Sequence, residues 1–123
     1  MDATSKNTEA NLSNYLKVNK AIENNAVCDS ASLVLLKVNP ENISALEWNA
    51  KKYYWAGQNR YKREMDKYNK KKTTNNYKIL LKALDIVTAE FKTALPYLNK
   101  LWKLEPGKEY AAYLANIYAL FGD

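Results

Sequence analysis

The chain has 123 residues, 47% of them hydrophobic and 26% charged, which is one domain's worth of polypeptide with enough apolar content to bury a core; wholesale disorder is excluded. Its net charge is +6, it has no histidine, and its single cysteine, Cys28, rules out an internal disulfide, a His or paired-Cys metal site and an imidazole-based nucleophile dyad. With ten Tyr but only three Gly and three Pro, punctuation is sparse, which favours helices over many short strands.

Residues 1–10 carry no apolar period and are expected to fray. Their polar composition is unlike a secretory leader, so the expected compartment is the cytoplasm, with export open for a chain whose leader has been removed. From Leu12 the apolar residues Leu12, Tyr15, Leu16, Val18 and Ile22 fall mostly at helical spacing, and Asn24-Asn25 offers a turn, because Asn tolerates the left-handed conformation. The run from Ala31 to Val38 reads as a second helix, with Asp29 or Ser30 as its N-cap. Asn39-Pro40-Glu41 closes it, since proline pushes the preceding residue out of the helical region; Asn39 then caps the next helix with Pro40 in its first turn.

That next helix spans about residues 42–56 and is expected to stop at Ala56-Gly57-Gln58. A charged helix over 59–71 follows, then an interruption at Thr73–Asn76. From Tyr77 an apolar pattern continues to Leu104, with a break expected near Thr88-Ala89-Glu90 and a bend at Pro96. Glu105-Pro106-Gly107 ends it, and a last helix covers 108–122. The reading is all-α, with about six to seven helices and no strands.

The two Pro breaks align. Ten residues after Pro40 stands Ala50, with Tyr53 three further and Gly57 four beyond; nine after Pro106 stands Ala115, followed at the same spacings by Tyr118 and Gly122. With Phe91, Ala94, Leu98, Leu101 and Pro106 in the second half, the chain resembles the tetratricopeptide (TPR) family, whose unit is a pair of antiparallel helices. It departs from the family pattern at Asn49, where Leu is usual, at Leu101, where Ala is usual, and in the missing Pro after Tyr68. The resemblance implies helix pairs stacked as a short right-handed solenoid, with units at about 11–40, 41–75 and 76–106 and a terminal helix 108–122. Small residues then let paired helices approach, and aromatics fill the space between units.

What the resemblance implies for function is a non-enzymatic scaffold that binds a protein or peptide in a concave groove. The family's groove positions fall on Ser44, Glu47, Lys51, Tyr54 and Trp55, and on Glu109, Ala112, Asn116, Ala119 and Leu120. Glu47, Lys51, Tyr54, Trp55 and Asn116 are the candidate peptide contacts. Glu47 stands where the family's carboxylate clamp has Lys, so that clamp is not carried over. Tyr54 and Trp55 could equally pack on a neighbouring helix.

The residues themselves offer a second reading. Residues 51–72 hold nine Lys or Arg against Glu64 and Asp66, a net +7, while residues 1–50 sum to −2 and 73–123 to +1. There Lys52, Arg60, Lys62, Arg63 and Lys67 interleave with Tyr53, Tyr54, Trp55, Tyr61 and Tyr68, the mixture of cations and stacking rings that single-stranded nucleic acid uses. A solvated face or an acidic protein partner explains the same charge more simply. No catalytic residue, metal or cofactor is expected, and no membrane span, because no apolar run approaches about 20 residues. The terminal helix 108–122 carries an apolar face around Leu114, Ile117, Tyr118 and Phe121 that needs cover, from this chain or by self-association.

Overall fold

The computed structural model describes residues 3–107 and 109–121; Lys108 and Gly122, the latter counted in the repeat, lie outside the described residues. Among the described residues the fold is all-helical, with five helices in chain order: α1 (Ala3–Ala21), α2 (Asn25–Val38), α3 (Ile43–Lys70), α4 (Thr74–Leu104) and α5 (Tyr110–Leu120). Links of three to five residues join them. Links that short turn the chain back on itself, so sequence neighbours pack side by side.

Each link is built from identifiable backbone chemistry. Helix α1 ends where Glu23 adopts a left-handed conformation (φ 59°) and the Asn24 amide donates back to the Asn19 carbonyl at 2.9 Å. The left-handed residue is therefore Glu23, one position before the expected Asn pair. Asn24 takes the N-cap position of α2, so Asp29 and Ser30 lie inside that helix rather than at its start. Between α2 and α3, Asn42 is the N-cap, its side chain accepting from the Ala45 amide at 2.9 Å, and Pro40 sits in the turn instead of the first helical turn. Thr73 caps α4 by accepting from the Asn76 amide at 3.0 Å.

Residues expected to fray are helical from Ala3, and they are anchored. Glu9 accepts from Asn39 at 2.7 Å and from Asn42 at 2.8 Å, which ties α1 to the link before α3. These bonds favour the charged carboxyl and hold Glu9 below the usual carboxylate range, Asn42 contributing most.

Helices α3 and α4 each run through a break expected from the sequence. Gly57 lies inside α3 and Thr88–Glu90 inside α4, so the count is five rather than six or seven. The two helices form a long antiparallel hairpin. Its register reads from Tyr53 stacked on Tyr97, through the Arg60–Glu90 ion pair at 2.8 Å, to Tyr68 against Tyr77 at the far end. Gly57 is retained because a side chain there has no room: a Cβ would stand 2.7 Å from the Phe91 ring.

Two clusters make the core. Leu16, Cys28, Ala31, Leu35 and Ala45 fill the space between α1, α2 and the start of α3. Leu46, Ala50, Tyr54, Phe91, Ala94 and Leu98 lead the larger one, which α5 closes with Tyr110, Leu114 and Ile117. The apolar face of the last helix is thus covered largely by its own chain, although Tyr118 remains exposed. Asn49 is buried with both donors used, to Ser32 Oγ at 3.1 Å and to the Ala45 carbonyl at 2.9 Å. Ala115, aligned in sequence with buried Ala50, faces solvent.

Replacing Gly57 with Ala gains up to about 1 kcal/mol in helix propensity but overpacks the Phe91 contact by about 1–3 kcal/mol. The expected result in urea denaturation is a net loss of up to about 2 kcal/mol. The Glu9 carboxylate predicts a pH effect. A depressed pKa stabilises the fold above the ordinary carboxyl value and is lost as pH falls through the depressed one, so Glu9→Gln should flatten stability against pH below about 4.5.

Candidate functional site

Three of the groove candidates, Glu47, Lys51 and Trp55, lie on the solvent-accessible side of the first half of α3, between α1 and α2 on one side and α5 on the other. Lys51 is the centre of this surface. Its ammonium lies 2.9 Å from Glu109 and 3.7 Å from Glu47, one helical turn back. The hydrogen bond to Glu109 raises the Lys51 pKa and lowers that of Glu109, so both stay charged at neutral pH. Both side chains are well exposed, so the pair orients the groups more than it stabilises the fold.

On the α2 side, Asp29 accepts from the Trp48 indole at 2.8 Å and pairs with Lys52 at 3.1 Å. Lys20 from the end of α1 joins them around a cavity of about 600 Å³ lined by Asp29, Glu47, Trp48, Lys51 and Lys52. A second recess of about 550 Å³ lies on the other side of Glu47, against Glu105, Glu109 and Tyr110. Burial first, and then the carboxylates of Glu47 and Glu105, push the Tyr110 hydroxyl well above its ordinary pKa. It stays protonated and acts as a neutral wall of the recess.

The α5 side is occupied. Asn116 donates to the Tyr54 hydroxyl and to Gln58 Oε1, both at 2.9 Å. Tyr54 packs at 4.5 Å, centroid to centroid, on Tyr113, which also meets the edge of Trp55. Tyr54 is only 6% exposed, so it belongs to the core, and Asn116 is committed to anchoring α5. Of the five groove candidates, Glu47, Lys51 and Trp55 thus reach solvent. Ser44, Ala112, Ala119 and Leu120 are exposed but lie outside the 600 Å³ cavity.

Most of the basic candidates are engaged by carboxylates. Lys52 is drawn to Asp29, Arg60 to Glu90, and Arg63 and Lys67 both reach Glu64 at 3.5 Å; among the described residues no ion pair engages Lys62. Tyr53 and Tyr61 pack against the core and Tyr68 meets Tyr77, while Lys52 Nζ lies 5.3 Å from the centroid of the Tyr53 ring.

Sequence reasoning missed Trp48, Asp29 and Lys20. Trp48 falls between the family's groove positions, Asp29 resembled a helix cap, and Lys20 is placed only by the packing of α1 on α2. Cys28 is fully buried, and burial followed by the nearby Asp29 raises its pKa, which keeps it a thiol. Among the described residues no cluster of Asp, Glu, Cys or His could hold a metal ion, and no helix is long and apolar enough to cross a membrane. Compared with known proteins, the chain matches no family model and has no significant match among curated proteins or solved structures.

Asn116→Ala leaves Tyr54 and Gln58 without their shared donor, at a cost of about 1 kcal/mol. Hydrogen exchange should then quicken across 110–120 while the amides of α1 and α2 keep their protection.

Proposed function

We propose that the chain is a non-enzymatic scaffold that binds a protein or peptide, its helices arranged as a short TPR-like, right-handed solenoid in which α3 and α4 pair with each other in place of the separate helix pairs expected at 41–75 and 76–106. The observation that carries this reading is the 600 Å³ cavity shared by α1, α2 and α3, which places one tryptophan among three lysines and two carboxylates. An indole wall offers apolar contact, and opposed charges at the mouth select for a ligand of complementary pattern. Packing at Ala50, Gly57, Phe91 and Ala94 supports the resemblance, since small residues and an aromatic sit where paired helices approach most closely. Exposed Ala115 is the position that fits it least.

The non-enzymatic part rests on chemistry. A chain without histidine, whose one thiol is buried and protonated, holds no activated nucleophile at this cavity. The carboxylates there are engaged by lysine or indole donors. A flexible charged peptide is the ligand such a surface suits best.

Reversing Glu47, Lys51 and Glu109 together (E47K/K51E/E109K) keeps both ion pairs but inverts the polarity of the cavity's edge. The expected outcome is unchanged helicity and a loss of at least about tenfold in affinity for a partner captured by the native protein. Equal affinity, or hydrogen-exchange protection by that partner away from residues 20–29 and 44–55, would count against the cavity.

A further inference from the structure

We propose that the outer half of the α3–α4 hairpin is a docking surface for an anionic lipid bilayer, on which it rests without crossing. Every described hydrogen bond, ion pair and ring contact from α2 and α5 to α3 falls at or before Gln58. Beyond it, residues 59–70 of α3 and 74–88 of α4 hold each other, across Leu80, Ala83 and Val87. This half forms an arm about 18 Å long at 1.5 Å per residue.

The arm carries the whole net charge of the protein. Residues 59–88 contain nine Lys or Arg against Glu64, Asp66 and Asp85, a net +6, whereas the rest of the chain has ten basic and ten acidic residues. Lys51 and Lys52, which extend the basic segment in sequence, are neutralised on the body by Glu109 and Asp29. Among the described residues no ion pair engages Lys70, Lys71 and Lys72 at the tip, or Lys78 and Lys82 on the outer face of α4.

Aliphatic side chains share that surface. Ile79, Leu81 and Ile86 are 45–50% exposed although they stand on a helix whose seam is buried at Leu80, Ala83 and Val87. At 100° per residue, Ile79 and Ile86 lie on one flank of the seam and Leu81 on the other, with Lys78, Lys82 and Asp85 between them on the outside. The recess between the helices beside Ile79 measures about 200 Å³.

These features decide among occupants. A second copy would bring another +6 arm against the first and be repelled. Nucleic acid would take the cations but gain nothing from aliphatic side chains, and the two tyrosines near the tip are packed on one another at 5.8 Å. A helical protein partner would need an apolar groove, and the recess here is small. An anionic bilayer matches the pattern: the flank of α4 that carries Ile79 and Ile86 enters the acyl boundary, while the lysine stems beside it lie along the interface with their heads at phosphate level.

The test is co-sedimentation of the full chain with phosphatidylcholine vesicles, with and without phosphatidylserine, at low and physiological salt. Binding is expected only with phosphatidylserine, and weaker as salt rises. Lys71 and Lys72 lie in the exposed turn, so Lys71→Gln with Lys72→Gln leaves the fold intact. That variant should bind roughly 30-fold more weakly, at a factor of about five per lysine. Ile79→Ser with Ile86→Ser, both exposed on one flank, should abolish the binding that persists at physiological salt. The proposal is overturned if the chain ignores phosphatidylserine, if either variant binds like the native protein, or if polyglutamate or single-stranded RNA binds more tightly than the vesicles at the same ionic strength.

Discussion

The close approach of α3 and α4 at Gly57 and Phe91 is the contact on which the rest of the architecture depends. With no Cβ at Gly57, the Phe91 ring lies directly on the α3 backbone, fully buried and touching Tyr54 on one side and Phe121 on the other. One ring thereby joins the hairpin to α5. A glycine in mid-helix costs about 1 kcal/mol relative to alanine, which burial of a Phe side chain, worth about 1.5–3 kcal/mol, more than offsets.

From that crossing the molecule divides into two functional regimes. On the body, charges are balanced and matched: Lys51 with Glu109 and Glu47, Lys52 with Asp29, and Glu9 with the amides of Asn39 and Asn42. Such pairs fix side-chain directions around a cavity. Toward the tip of the hairpin, basic residues outnumber acidic ones, and aliphatic residues remain uncovered. The length of α3 and α4 separates the recessed surface of mixed charge from the cationic, partly apolar one. Merging two expected helices into each of these long ones is therefore what creates the arm.

Much of the fold was legible in the residues. Apolar spacing gave the helices, the Asn-Pro and Pro-Gly turns gave two of the four links, and Phe91, Ala94, Leu98 and Leu101, singled out by the family resemblance, are all buried. The errors share a cause. Gly57 was read as punctuation because glycine disfavours helix, and Thr88–Glu90 because 28 residues is long for one helix; packing across the hairpin overrode both. The family resemblance put Tyr54 and Asn116 in a groove, with packing of Tyr54 on a neighbouring helix as the alternative, and the docking of α5 turned the two toward each other.

By itself the sequence determined an all-helical chain, because periodicity and sparse Gly and Pro leave few alternatives, and it determined where the charge is concentrated along the chain. Only the tertiary structure decided which charges are left over. Ion pairs such as Lys51–Glu109 and Lys52–Asp29 join residues 58 and 23 positions apart, a relation that helical spacing does not encode. Once those pairs form, the positive excess moves from residues 51–72 to the arm at 59–88, beside aliphatic side chains that only the long hairpin leaves exposed.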